Sequence, residues 1–142
     1  MRPFGANEFL FILAAVRWTV LLSLVAFALG GAFGAIVALL RVSERAMTRI
    51  LAAGYIQLFQ GTPLLMQLFL VYYGLGLFGL RLDAWTAVAI AYSAYSAAFL
   101  GEIWRGCIQS VPAGQWEAAR SMSLTRVQSL RLVVLPQAVR IA

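Results

Sequence analysis

Between Trp18 and Leu40 the chain runs for 23 residues without a charged side chain, and no other feature constrains the fold as strongly. A helix needs about 20 predominantly apolar residues to cross a hydrocarbon core. Inside that core only helices and closed barrels satisfy every backbone N–H and C=O group. The run therefore predicts a polytopic, all-α membrane protein. Composition agrees, because 63% of the residues are hydrophobic, 11% are charged and the mean hydropathy is +0.88. That leaves too little polar surface to cover a soluble domain of this size.

The sequence predicts about three transmembrane helices. Span 1 is expected over 17–40 and carries Gly30 and Gly34 at GxxxG spacing, which lets another helix approach closely. The abundance of glycine in membrane helices explains the pair equally well. The preceding Phe9–Val16 is apolar but short, so it lies at the interface or extends the first helix outward. Glu8 and Arg17 interrupt this region and the apolar run is long, which fits poorly with a cleavable signal peptide.

Segment 41–49 sets Arg41, Arg45 and Arg49 against Glu44, and short arginine-rich loops stay on the cytoplasmic side. Region 50–80 is too long for one span and is interrupted by Gly61-Thr62-Pro63. A helix to about Gln60, a break and a second span to Leu80 are expected, since proline removes a backbone donor. Arg81 and Asp83 cancel in the next turn, which is placed outside. Span 3 is expected over 84–104, before a segment with Arg105, Arg120, Arg126, Arg131 and Arg140 against Glu117. This arrangement puts the N-terminus outside and residue 142 inside. The GxGxxG pattern at Gly74–Gly79 has no βαβ context and is read as a turn or packing feature closing a span.

All eleven basic residues are arginine and the net charge is +6. They flank apolar stretches instead of forming a stripe with interleaved aromatics, so they read as topology signals and not as a nucleic-acid surface. Cys107 is the one cysteine and there is no histidine, which excludes an internal disulfide and argues against a transition-metal site. The five acids are scattered, so no carboxylate dyad is in view. Neither catalysis nor a cofactor is expected of this chain.

Segment 112–136 is the most informative. A helix starts after Pro112 and Gly114, with Glu117 near its favourable N-terminal end. Ala118 and Ala119 are small enough for a partner to come close. A polar turn over Ser121–Thr125 leads into a second amphipathic helix with Val127, Leu130 and Val134 on one face, ended or redirected by Pro136. Two short helices meeting at a turn form a knob suited to a groove. Taken on these residues alone, a plain interfacial helix is the stronger reading.

The spacing of Glu117-Ala118-Ala119, Ser123, Val133, Leu135 and Pro136 resembles the EAA loop of ABC-importer permeases, which has glycine where Ser123 stands. Gln60-Gly61-Thr62-Pro63-Leu64-Leu65-Met66-Gln67-Leu68 and Glu102-Ile103-Trp104-Arg105-Gly106 followed by Ser110-Val111-Pro112 are similar to segments of the polar amino-acid permeases, the histidine, glutamate, glutamine, arginine and opine type. Gln57 and Gln60 stand where that group often carries charges. The similarity covers most of residues 17–142.

The resemblance implies a permease subunit of the bacterial inner membrane that works by alternating access. Its partners would be ABC ATPase subunits that bind the ATP, a sister permease or second copy, an extracytoplasmic solute-binding protein and membrane lipid. Glu117, Ala118, Ala119, Ser123, Leu135 and Pro136 would couple it to the ATPase. It also implies a C-terminally truncated chain, a fragment of a five-helix permease fold.

Path candidates are Gly61, Thr62, Pro63, Gln67, Tyr72, Tyr95 and Glu102, with Tyr92 and Ser96 beside them, because polar groups in spans tend to face the bundle interior. Packing or interfacial roles are the plainer reading of the tyrosines, and Arg105 at i+3 can pair Glu102. The competing reading is a helical membrane assembly protein whose loop binds a partner other than an ATPase.

Overall fold

A computed structural model describes residues 5–141, and every regular element among them is helical. Helix α1 spans Ala6–Arg41, α2 spans Ala46–Gln60 and α3 spans Leu64–Leu77, with a π turn over Leu70–Gly74. Helix α4 spans Ala84–Ser110 and α5 spans Ala113–Ser121. The last helix, α6, covers 126–141 with a second π turn over Leu130–Val134. Residues 1–4 and residue 142, whose sides of the membrane the charge pattern assigns, lie outside the described residues.

Among the described residues two helices, α1 and α4, are long and apolar enough to cross a membrane. The pair α2 and α3 makes a third span if it is counted as one, and it is bent by 103°. Helix α1 has 36 residues, about 54 Å at 1.5 Å per residue, well beyond a hydrocarbon core of about 30 Å. Phe9–Val16 belong to the first helix and continue it toward the N-terminus without a break. One charged side chain does not stop a helix, and the Arg17 guanidinium lies 5.1 Å from the centre of the Trp18 ring.

The partition of side chains is the reverse of a soluble core. Phe11, Phe27, Leu51, Leu77 and many other large apolar residues are exposed, whereas the buried set is mostly alanine. Lipid tails are as apolar as leucine, so membrane helices associate through close backbone packing. The seam between α1 and α4 is built this way. Ala26, Gly30, Gly34 and Ala38 recur every fourth residue and are buried, as are Ser93, Ala97 and Gly101 on α4. A Cβ on Gly34 would stand 3.0 Å from the Gly101 nitrogen and 3.1 Å from the Ala97 carbonyl oxygen. The GxxxG pair is therefore a packing surface within this chain.

Polar ties fix the rest. The Tyr55 hydroxyl of α2 donates to the Ala94 carbonyl of α4 at 2.6 Å. Trp18 and Trp85 pack with ring centres 4.9 Å apart where α1 passes the start of α4. At the opposite end Glu102 accepts from Arg105 Nε at 2.8 Å, and Arg41 Nε on α1 approaches its other oxygen at 3.9 Å.

Candidate functional site: the α5–α6 hairpin and the α2–α3 break

The hairpin starts from Pro112, whose extended backbone caps α5. Nine residues later α5 closes in a Schellman arrangement: Ser123 N–H donates to the Arg120 carbonyl at 2.9 Å and Leu124 N–H to the Ala119 carbonyl at 3.2 Å. That closure places Ser123 at the C′ position with φ of 59°, the left-handed conformation that glycine adopts at least cost. Thr125 and Gln128 then form a capping box that starts α6, satisfying its first donors.

A small apolar cluster anchors the hairpin to the long helices. Ile108 and Val111 at the end of α4 are buried with Val134 and Ala138 of α6, and Val42, Trp116, Leu130 and Leu135 pack around them. The predicted inward face of α6 holds at Val134, which is buried, and at Leu130, which packs on the cluster. It fails at Val127, which is 74% exposed, while Ser129 and Ala138 point inward beside Val134. The π turn explains the change, because one extra residue per turn shifts the spacing from 129 to 134 to five. The same turn precedes Pro136, which has no N–H to offer the ladder. As a result Pro136 does not end the helix, and α6 continues to Ile141. Gln137 helps hold this region, donating to the Val133 carbonyl at 2.9 Å and to Gln115 Oε1 on α5 at 3.2 Å.

The predicted contact residues separate by orientation. Glu117, Ala118, Ser123 and Pro136 are exposed, Leu135 is half-buried and Ala119 is 2% exposed. Of the two alanines, Ala118 is the one on the outer surface. Among the described residues the Glu117 carboxylate has no recorded ion pair.

Arg126 ties the hairpin to the α1–α2 loop. Its guanidinium pairs with Glu44, donates to the Val42 carbonyl at 3.0 Å and lies 6.0 Å from the centre of the Trp116 ring. This link joins segments that are 82 residues apart. Sequence reading missed it, and only the excess of basic residues in both segments hinted at their proximity.

At the α2–α3 break one side chain closes the irregular backbone. Gln67 Nε2 lies 2.9 Å from the Phe59 carbonyl, 3.1 Å from the Thr62 carbonyl and 2.7 Å from Thr62 Oγ1. The Thr62 hydroxyl in turn donates to the Leu58 carbonyl at 2.8 Å. A Cβ on Gly61 would stand 2.7 Å from the Gln57 oxygen, so the bend needs glycine there. Pro63 supplies the extended residue that precedes α3.

Thr62 and Gln67 share a cleft with Phe59, Met66 and Leu70. Tyr72, which packs edge-on against Tyr73, Tyr95, which packs on Phe99, and Glu102 are not among the walls of that cleft. The path candidates thus lie in three places: Gly61, Thr62, Pro63 and Gln67 at the break, Tyr72 in the π turn of α3, and Tyr95 and Glu102 on α4. Among the described residues no cluster of acids or cysteine could hold a metal ion.

Comparison with known proteins places this architecture. The family described as "Binding-protein-dependent transport system inner membrane component" matches residues 30–142. The chain is 40% identical over 136 residues to the probable amino-acid ABC transporter permease protein YckA of Bacillus subtilis (strain 168), covering 96% of this chain and 60% of that protein. It is 37% identical over 127 residues to the L-cystine transport system permease protein TcyB of the same organism, with 89% and 54% covered. Against the nopaline transport system permease protein NocM of Agrobacterium fabrum (strain C58 / ATCC 33970) it is 37% identical, with 91% and 58% covered. The chain therefore spans rather more than half the length of these relatives. A crystal structure of an amino acid ABC transporter with histidines superposes with a TM-score of 0.84 at 35% identity, covering 98% of this chain and 66% of that one. The chain belongs to the family of binding-protein-dependent transport system inner membrane components.

Proposed function

We propose that this chain serves in a permease subunit of an ATP-driven importer for polar amino acids, with the α5–α6 hairpin as the element that takes up motion from an ATPase. The observation that carries this reading is the hairpin's geometry. Glu117 and Ala118 lie on its outer surface, while its inner surface is fixed to α4 by Ile108, Val111, Val134 and Ala138. A rigid knob with an exposed tip and a packed base can transmit displacement into a spanning helix, because close-packed cores do not absorb strain locally. The amino-acid class is supported by relatives named for amino-acid, L-cystine and nopaline transport.

On this reading the ATPase subunits hold the ATP and the hairpin faces the cytoplasm, with the N-terminus outside and residue 142 inside. A sister permease or a second copy completes the pathway, and an extracytoplasmic binding protein delivers the solute. Ala119, Ser123, Leu135 and Pro136 keep the hairpin's shape. Glu117 and Ala118 meet the ATPase. Gly61, Thr62, Pro63 and Gln67 shape the break beside the path, and Tyr72, Tyr95 and Glu102 flank it.

The test is uptake by the transporter reconstituted with its partner subunits. Glu117→Lys should abolish ATP-dependent uptake while the permease still assembles in the membrane. Uptake unchanged by that reversal would reject the coupling role.

A further inference from the structure

We propose that the arginine-lined cleft between the α1–α2 loop and the α5–α6 hairpin binds the phosphodiester headgroup of an anionic phospholipid. Two adjoining clefts meet there, of about 620 Å³ and 470 Å³. Arg41, Arg49 and Arg126 line the first, and Arg120 and Arg126 line the second. Glu44 and Trp116 belong to both, and Glu44 is the single carboxylate among the lining residues. A water occupies about 30 Å³, so each cleft has ample room for a glycerophosphate group.

The position favours lipid over a soluble ligand. The cleft runs from Arg41, where α1 ends, to the last turn of α4 at Ile108 and Gln109. It lies just past the uncharged stretches of the two membrane-length helices, which end at Leu40 and Gly101. Its floor is apolar, with Val42, Ile108 and Val111 among the lining residues, and Trp116 adds a ring of the kind enriched at the headgroup level. Basic pockets between helices at this depth recognise lipid phosphates, and each arginine near the surface adds to the attraction. The guanidinium fork matches two phosphate oxygens at once. Ala113, at the start of α5, also lines both clefts, and that helix end has no side-chain cap, which adds a weak positive pole.

The arginines are not equally available. Arg126 is held by Glu44 and Arg41 lies near Glu102, while Arg49 and Arg120 are exposed and make no recorded ion pair among the described residues. Arg49 and Arg120 approach the phosphate from the two sides of the cleft, and Glu44 competes with it for Arg126. This proposal requires only a membrane-embedded chain. It stands or falls independently of the transport reading.

The experiment is native mass spectrometry of the 142-residue chain released from mixed phosphatidylcholine and phosphatidylglycerol nanodiscs. Phosphatidylglycerol should be retained preferentially. Arg49→Gln and Arg120→Gln should each lower its retention about fivefold, from the usual contribution of one surface arginine. Glu44→Gln should raise it, a sign that loss of folding cannot produce. Arg81→Gln, in the loop beyond α3, should leave it unchanged. Equal retention of both lipids, or a fall in Glu44→Gln, would overturn the site. Stripping of the lipid by millimolar inorganic phosphate would show that the cleft takes free phosphate, and would overturn the assignment to lipid.

Discussion

Leu124 N–H reaches back over Ser123 to the Ala119 carbonyl at 3.2 Å, holding Ser123 at a φ of 59°. The same closure ends α3, where Leu80 N–H donates to the Leu75 carbonyl at 3.0 Å and the C′ residue is Gly79 with φ of 85°. One helix end has the residue suited to the left-handed region and the other does not. An L side chain in that region costs roughly 1–2 kcal/mol.

Ser123→Gly should therefore stabilise the hairpin, by less than about 1 kcal/mol once glycine's greater freedom in the unfolded chain is counted. Ser123→Val should destabilise it by about 2 kcal/mol, because a β-branched residue is a poor fit at positive φ. Hydrogen exchange of the Leu124 and Thr125 amides reads both effects. Slower exchange in the valine variant would contradict the account.

Gly34→Leu should break the α1–α4 seam. Even a methyl group there would press against the Gly101 nitrogen and the Ala97 carbonyl, which are backbone atoms and cannot turn aside. Overpacking of a tight site costs about 1–3 kcal/mol, occasionally more. Thermal unfolding in detergent should show a clear fall in midpoint for Gly34→Leu. Gly54→Ala, where nothing stands within 4 Å, should show no fall.

Gln67→Leu removes the amide that lies between Phe59 and Thr62. Leaving part-buried carbonyls without a donor costs about 1–3 kcal/mol, so the 103° bend should become variable. Spin labels on α2 and α3 should report a broadened distance distribution, and Gln67→Glu should not restore it because the donor is still missing. A distribution as narrow as the parent's would show that Pro63 and Gly61 alone set the angle.

Asp83 caps α4, accepting from the Thr86 hydroxyl at 2.6 Å and the Thr86 N–H at 3.1 Å. Those bonds, the hydroxyl's first, hold its carboxyl below the usual range. A depressed folded value means that the cap stabilises fully above the unfolded pKa. The contribution is lost as pH falls through the folded value. Unfolding midpoints of the parent should fall over that acidic range, whereas Asp83→Asn should remove this part of the pH dependence.

Much of the long-range plan was legible because membrane physics writes it plainly. An uncharged run of 23 residues has few alternatives, and Gly61-Thr62-Pro63 announces a break through missing donors. Besides the Arg126 link, three features were not legible, for local reasons. Arg17 resembles a boundary, but α1 passes through it because a lone cation can rest on Trp18. Val127 falls on the apolar face of an ideal helix, yet the π turn gives that place to Ser129, and periodicity arguments assume no extra residue. Ala118 and Ala119 are chemically identical, and only the packing of α5 on α6 decides which one faces outward.

That last distinction gives the most direct test of the central claim. In a Cys107→Ser background, cysteine is placed at Ala118 or at Ala119 and cross-linked in membranes to a co-expressed importer ATPase subunit, with and without ATP. The account predicts a nucleotide-dependent cross-link from position 118 and little or none from position 119, which is 2% exposed. Cross-linking at neither position, with the chain folded in the membrane, would contradict a hairpin that docks the ATPase.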